Sequence, residues 1–374
     1  MSAPSIPNLL SLRGRGTGAS RRGRPGGSNI GGSQSTRGSR DAVVQGTDTD
    51  AAVSRLSAVE VGYLADPFAQ YFVGTVGAGA PTRRLPIINR GTYTRTTALD
   101  RLVKSFLQSN SSSEKQIISL GAGTDTRSLR LFSQPSTSTG LVYHEIDFSI
   151  ATAQKLVTVQ SHPVLQRVFQ STAEISHETT EGQPVAVKSW SSAPALGGQY
   201  FCHGVDLRQL IGTAGRKAMD LTGLRTDIPT LLLSECCLCY LETHEAQAVI
   251  AYFTSRINDV GIALYEPIRP DDAFGRMMVW NLAARQISMP TLYEFKTPRD
   301  QELRLSQAGF NTVHAETIER LWGRWVTEEE KTRVDSLEGL DEVEEWNLLA
   351  DHYVIAWGWK GAGFSQWEGS NLAA

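Results

Sequence analysis

The 374-residue sequence contains no uninterrupted apolar run of the roughly 18 residues that would suggest a membrane span. It also lacks a continuous signal core, because the apolar residues between Ile6 and Leu12 are interrupted by Pro7, Asn8 and Ser11. Cysteine is scarce, with four residues, of which Cys236, Cys237 and Cys239 lie too close together to staple a fold. A secreted disulfide framework is thereby excluded, and a reducing, cytoplasmic setting without membrane attachment is expected. Cys236 and Cys239 form a C-x-x-C, but zinc would require two further ligands and only Cys202, with His203 beside it, offers one. Since the cluster directly follows the strand-like residues 230–234, these cysteines read as small apolar fillers. The seven histidines show no H-E-x-x-H or other metal spacing, so no metal is expected, and His144 and His203 read as packed core or edge residues.

Acidic residues are missing altogether from residues 1–40, which carry seven arginines. The remainder holds 29 basic against 39 acidic residues, so the formal net charge of −3 conceals a basic tail on an acidic body. Residues 1–50 are rich in Gly, Ser, Thr and Arg and too poor in large apolar side chains to offset the entropy of ordering, which predicts a disordered tail. Arg13-Gly14-Arg15-Gly16 and Arg21-Arg22-Gly23-Arg24 are similar to RG-rich tails that bind RNA, and the composition also suits a mitochondrial presequence. No aromatic residue interleaves the arginines to stack on bases, so a plain solvated tail is the preferred reading.

Beyond the tail, apolar residues from Val53 to Leu64 fit helical spacing loosely, and Asp66-Pro67-Phe68 ends that helix. Residues 89–107 form a second helix whose apolar face includes Leu99, Leu102, Val103, Phe106 and Leu107. Strands are then expected at 117–120, 141–147, 200–205, 230–234 and 261–266, with helical segments between them near 125–132, 149–160, 207–216 and 244–258. Such alternation predicts an α/β fold with a doubly wound, mostly parallel sheet. After it come a helix at 271–285, two β-type runs at 311–318 and 352–359 that can pair antiparallel, and a solvated acidic segment at 328–345. The expected organisation is a tail (1–50), an N-terminal helical cover (51–110), the α/β domain with insertions (111–362) and a C-terminal tail (363–374).

The strand at 117–120 runs into Gly121-Ala122-Gly123-Thr124-Asp125-Thr126-Arg127. A Gly-x-Gly turn at a strand end lets backbone approach a nucleotide-like ligand closely. The dinucleotide fingerprint requires a third glycine at the position of Thr126, and Asp125 is unfavourable beside pyrophosphate. A phosphate-free cofactor escapes both objections, and S-adenosylmethionine is the obvious candidate. Carboxylates follow at the next three strand ends: Asp147 for the ribose hydroxyls (with Glu145 as its competitor), Asp206 with Leu207 for the adenine, and Glu235 near the cofactor ammonium.

These residues, together with Glu145-Ile146-Asp147-Phe148 and Ser234-Glu235-Cys236-Cys237-Leu238-Cys239-Tyr240, resemble the leucine carboxyl methyltransferase family. Val61-Gly62-Tyr63-Leu64-Ala65-Asp66-Pro67-Phe68, Ile88-Asn89-Arg90-Gly91 and Leu337-Glu338-Gly339-Leu340-Asp341-Glu342 agree, so the resemblance runs from about residue 50 to about 362. It implies the class I S-adenosylmethionine-dependent methyltransferase fold and cofactor contacts at Arg55, Arg95, Gly121, Asp147, Asp206, Leu207 and Glu235. Arg55 stands where relatives usually carry Lys, which keeps the charge and alters the geometry. Tyr240 matches a position facing the substrate, which the resemblance implies is the C-terminal leucine of the protein phosphatase 2A catalytic subunit. The nucleophile is then a carboxylate already ionised at neutral pH, so no catalytic base is expected among the side chains. A monomer suffices for this chemistry. The competing readings are a related carboxyl or tRNA-modifying methyltransferase, a nicotinamide-dependent oxidoreductase and a non-catalytic binding module.

Overall fold

The computed structural model describes residues 32–73, 83–109, 112–175, 189–212 and 218–368. Its nine strands are β1 (Lys115–Leu120), β2 (Leu141–Asp147), β3 (Phe169–Ile175), β4 (Ser189–Pro194), β5 (Gln199–Gly204), β6 (Thr230–Glu235), β7 (Val260–Pro267), β8 (Thr312–Thr317) and β9 (Tyr353–Lys360). They form one sheet in the order β3-β4-β5-β2-β1-β6-β7-β9-β8. The five central strands from β5 to β7 run parallel, as the alternating pattern predicts. β9 lies antiparallel to both β7 and β8, which is the expected C-terminal pair. Every residue of β1 and β7 is buried, as expected of central strands, so Ile117-Ile118 and Ile262-Ala263-Leu264 read as short apolar runs rather than alternations.

The order places β2 and β5 on one side of β1, and β6 and β7 on the other. This reversal opens a crevice beyond the C-terminal ends of the central strands, the place where open α/β sheets bind ligands. Over it lies a cover of α1 (Gly32–Gln45), α2 (Thr47–Val61) and α3 (Pro86–Gln108). α2 ends at Gly62, whose φ of 100° provides the left-handed C-cap. α3 starts on Pro86 and buries Leu99, Leu102, Val103 and Phe106 in the main core, as its periodicity predicts.

Three expectations are corrected. Residues 32–50 are not a tail but helix, comprising α1 and the first turn of α2, while the expected disorder of residues 1–31 lies outside the described residues. The cover makes tertiary contacts over this stretch: Val43 packs against the core, Asp41 meets Arg208 at 2.7 Å and Asp50 meets Arg285 at 2.6 Å. Residues 363–368 are not a tail either, because Phe364 and Trp367 are buried and the Trp367 indole donates to the Leu102 carbonyl. Phe364 stacks on Phe106 with ring centroids 4.9 Å apart, which ties this end of the chain to α3. Finally, β3 and β4 add an antiparallel extension beside β5 that the sequence pattern did not announce. As an outer strand with mostly exposed Gln170, Ser171, Ala173 and Glu174, β3 carries no apolar run to read.

Candidate functional site

A cavity of about 430 Å³ occupies the crevice, lined on the cover side by residues of α1 and α2. All eight residues singled out from the sequence line it: Arg55, Arg95, Gly121, Asp147, Asp206, Leu207, Glu235 and Tyr240. They come from α2, α3, the ends of β1, β2 and β6, and the segments after β5 and β6. Six lining carboxylates (Asp41, Asp48, Asp125, Asp147, Asp206 and Glu235) face three lining guanidiniums, those of Arg55, Arg95 and Arg208. An acidic wall of this kind favours a cation.

The glycine turn is built for contacts inside the protein as well as for a ligand. Gly121 has a φ of 64°, and a Cβ there would lie 2.5 Å from Cys237 Sγ. Gly123 has a φ of 46°, and a Cβ there would lie 2.3 Å from Asp48 Oδ1. The turn's amides are already donated: Gly121 to the Ile146 carbonyl, Gly123 to Asp147 Oδ2, Thr124 to Asp48 Oδ1 and Asp125 to the Ala122 carbonyl. The first amide of helix α4 (Arg127–Phe132) donates to Asp125 Oδ1. Five amides that a pyrophosphate would call on, those of Gly121, Gly123, Thr124, Asp125 and Arg127, are thus already bonded, in keeping with the missing third glycine.

Asp147 and Glu145 part ways here. Asp147 Oδ2 accepts from Gly123 and Oδ1 from Phe148, both at 2.7 Å, with the carboxylate on the cavity wall. Burial raises its pKa to about 6 against the pull of those two amides. Glu145 instead points into the protein, where Ser128, Tyr200 and Lys155 all donate to it. It is a structural carboxylate, and the competition is decided for Asp147 as the cavity residue.

Asp206 caps the short 3-10 turn Leu207–Leu210 through the Arg208 amide and also holds the Arg208 guanidinium at 2.6–3.0 Å. Leu207 lines the cavity beside it and packs into the neighbouring apolar cluster. Arg55 reaches Asp66 at 3.4 Å and Asp125 at 3.5 Å, distances loose enough to leave donors for a ligand. Arg95 stands over the Tyr265 ring, and its Nε lies 3.4 Å from Glu235 without making a hydrogen bond. Tyr240 ends the 3-10 turn Leu238–Tyr240, and burial pushes the ionisation of its hydroxyl well above the ordinary range.

Behind this wall stands a residue that sequence reasoning missed. Arg127 is buried and binds three carboxylates from three places: Asp100 of α3 at 2.8 Å, Asp125 of the turn at 2.6 Å and Glu235 of β6 at 2.9 Å. Burial opposes ionisation of Asp125, but Arg127, Arg55 and Arg130 overcome it and hold its carboxyl below the usual range. No local pattern signals this hub, because two of its three partners, Asp100 and Glu235, are distant in sequence. Asp41 and Asp48 were missed because the cover was expected to start at residue 51. An acidic first turn after Gly46 was the available sign of an earlier helix start.

The cysteines follow the filler reading in part. Cys202 and Cys239 are buried, whereas Cys236 and Cys237 contribute to the cavity wall. His144 and His203 are core residues hydrogen-bonded to each other at 2.9 Å, and burial lowers the pKa of His144 to about 3. Among the described residues no group of three or more His, Cys, Asp and Glu is placed to hold a metal, and no helix is long and apolar enough to cross a membrane.

A doubly wound sheet with an acid-lined crevice at its switch point, roofed by N-terminal helices, defines a class I methyltransferase fold. The model of the leucine carboxyl methyltransferase family matches residues 44–254, more than half of the chain. "Leucine carboxyl methyltransferase 1" of Emericella nidulans is 49% identical over 387 residues, covering 96% of this chain and 95% of its own. The protein of that name from Aspergillus fumigatus is 49% identical over 394 residues, covering 97% and 96%. "Leucine carboxyl methyltransferase 1 homolog" of Arabidopsis thaliana is 33% identical over 319 residues, covering 85% and 90%. The chain belongs to the leucine carboxyl methyltransferase family and is a methyltransferase.

Proposed function

We propose that this chain transfers a methyl group from S-adenosylmethionine to the C-terminal leucine α-carboxylate of the protein phosphatase 2A catalytic subunit, forming a methyl ester. The observation that carries the cofactor assignment is the cavity wall, with six carboxylates against three guanidiniums and the Gly121, Gly123, Thr124 and Asp125 amides already bonded within the protein. S-adenosylmethionine supplies a methyl group on a sulfonium cation, and a volume of about 430 Å³ is within the range of small-molecule sites. In this reading Asp147 accepts from the ribose hydroxyls, Asp206 and Leu207 hold the adenine, and Glu235 receives the ammonium. Arg55 and Arg95 bind the cofactor carboxylate, Gly121 allows close approach, and Tyr240 faces the substrate peptide.

The substrate carboxylate is ionised at neutral pH, with an α-carboxyl pKa near ~3.5, so it attacks without a base. The residues present are suited to that: Tyr240 is held protonated, and no histidine lines the cavity among the described residues. The work left to the protein is to align donor and acceptor under the cover and to remove water, and alignment lowers such barriers by up to ~7–11 kcal/mol. The enzyme acts on this reading as a cytoplasmic monomer. Labelled methyl donor is to be incubated with the phosphatase catalytic subunit carrying or lacking its terminal leucine. Labelling of the complete subunit alone is expected, and equal labelling of the truncated one would refute the substrate assignment.

A further inference from the structure

Asp48 reaches the cavity from the first turn of α2, yet it does not serve that helix. The N-terminus of α2 has Gly46 as its cap residue and no side-chain cap bond. The Asp48 carboxylate turns instead to the sheet and accepts two hydrogen bonds on Oδ1, from the Thr124 amide at 2.9 Å and the Thr124 hydroxyl at 2.7 Å. It fits only because Gly123 has no side chain, since a Cβ there would stand 2.3 Å from the same oxygen. One residue earlier the Gly123 amide donates to Asp147 Oδ2 at 2.7 Å. The Gly123–Thr124 segment is therefore gripped by two carboxylates, one from the cover and one from the sheet.

From this geometry we infer that Asp48 is a positioning residue of the cofactor site, the latch by which the cover fixes the Gly123–Thr124 backbone and through it the Asp147 carboxylate. The inference rests on the cofactor reading above. A loop peptide free to rotate would withdraw the Gly123 donor from Asp147 and leave that carboxylate without one of its two orienting bonds. An acceptor oxygen with two lone pairs is what the double contact requires, and Asp and Asn share it whereas Ala does not. Burial is the largest influence on Asp48 and raises its pKa, the two Thr124 bonds oppose that, and Lys155, Asp125 and Asp147 are charged groups facing it.

Calorimetry with S-adenosylmethionine on the full chain tests the latch, with apo melting temperatures as a control. Asp48→Ala is expected to weaken binding about 10-fold, and Asp48→Asn, which keeps the acceptor, by less than about 3-fold. Thr124→Val, which removes only the hydroxyl, should weaken it about 3-fold with an unchanged melting temperature, and adding it to Asp48→Ala should cost no further affinity. Wild-type affinity in Asp48→Ala, or Asp48→Asn as weak as Asp48→Ala, overturns the inference. If Asp48→Ala does not fold, an unchanged dissociation constant in Thr124→Val overturns it instead. A wild-type chain that binds no S-adenosylmethionine removes the cofactor reading and this inference together, whereas tight wild-type binding unaffected by Asp48→Ala removes this inference alone.

Discussion

The two-carboxylate grip on the glycine turn has a measurable electrostatic consequence at Asp147. Burial raises the pKa of its carboxyl from 3.8 to about 6, against the Gly123 and Phe148 amides that favour the ionised form. The folded state therefore holds the Asp147 proton more tightly than the unfolded chain does. Its contribution to stability is fully present below pH 3.8 and is lost as the pH rises through about 6. At about pH 5, one unit below the folded value, the protonated form contributes roughly 1.4 kcal/mol that is absent at about pH 7.5. Asp147→Asn cannot titrate. The stability difference between wild type and Asp147→Asn, from urea unfolding of the apo protein, should thus move by about 1.4 kcal/mol towards wild type between those two pH values. Titrating groups remote from Asp147 cancel in the comparison, and Asp48, whose charge also raises the Asp147 pKa, is controlled by repeating it in an Asp48→Asn background. Parallel pH curves for the two proteins would refute the account of Asp147. Binding provides a second readout with the opposite direction: ribose hydroxyls donate to the ionised carboxylate, so wild-type affinity for S-adenosylmethionine should fall about 10-fold from pH 7.5 to 5. Asp147→Asn should bind weakly at both.

Gly121→Ala should destabilise the protein by about 2–4 kcal/mol, combining a left-handed φ with a Cβ driven into Cys237, as read by thermal unfolding. Cys237→Gly in the same chain should restore part of the loss, and no recovery would show that the Cys237 contact is not the cause. Arg127→Met should cost about 3–5 kcal/mol because Asp100, Asp125 and Glu235 lose their shared counter-charge; a melting temperature within a degree or two of wild type would contradict that role. Deletion of residues 1–49 removes Asp41 and Asp48 from the cavity wall, and on the order of 100-fold weaker cofactor binding is expected, while deletion of residues 1–31 should leave it unchanged. Equal affinity of the two truncated chains would show that the cover's first turn is dispensable.

Much of the fold was legible because buried parallel strands announce themselves. β1, β2, β6 and β7 are buried along nearly all their length and each contains a short apolar run, Ile117-Ile118, Leu141-Val142-Tyr143, Leu231-Leu232-Leu233 and Ile262-Ala263-Leu264, that can be read without knowledge of its neighbours. β3 and β4 sit at the sheet edge and are not legible in this way: half of β3 faces water, and its pairing depends on a partner supplied elsewhere. The start of the cover was misplaced for a related reason. The apolar content of α1 and the first turn of α2 is too low to predict order, and the contacts that hold them are tertiary: Val43 on the core, Asp48 on Thr124, and ion pairs to Arg208 and Arg285, residues more than 160 positions away from their partners. Trp367 and Phe364 looked like part of a tail because their partners, Leu102 and Phe106, lie in α3.

By itself, then, the sequence determined the five parallel strands and the C-terminal antiparallel pair, the glycine turn and the strand-end acids Asp147, Asp206 and Glu235, because hydrophobic periodicity and strand-terminal position are local properties. Only the tertiary structure decided which carboxylate of β2 faces the cavity, what occupies the space left by the two glycines, and which buried arginine binds Glu235. It also decided that the roof of the site begins near residue 41 rather than at 51. Each of these is a contact between residues distant in the chain, such as Asp48 with Thr124, and depends on how the helices close over the sheet rather than on any pattern along it.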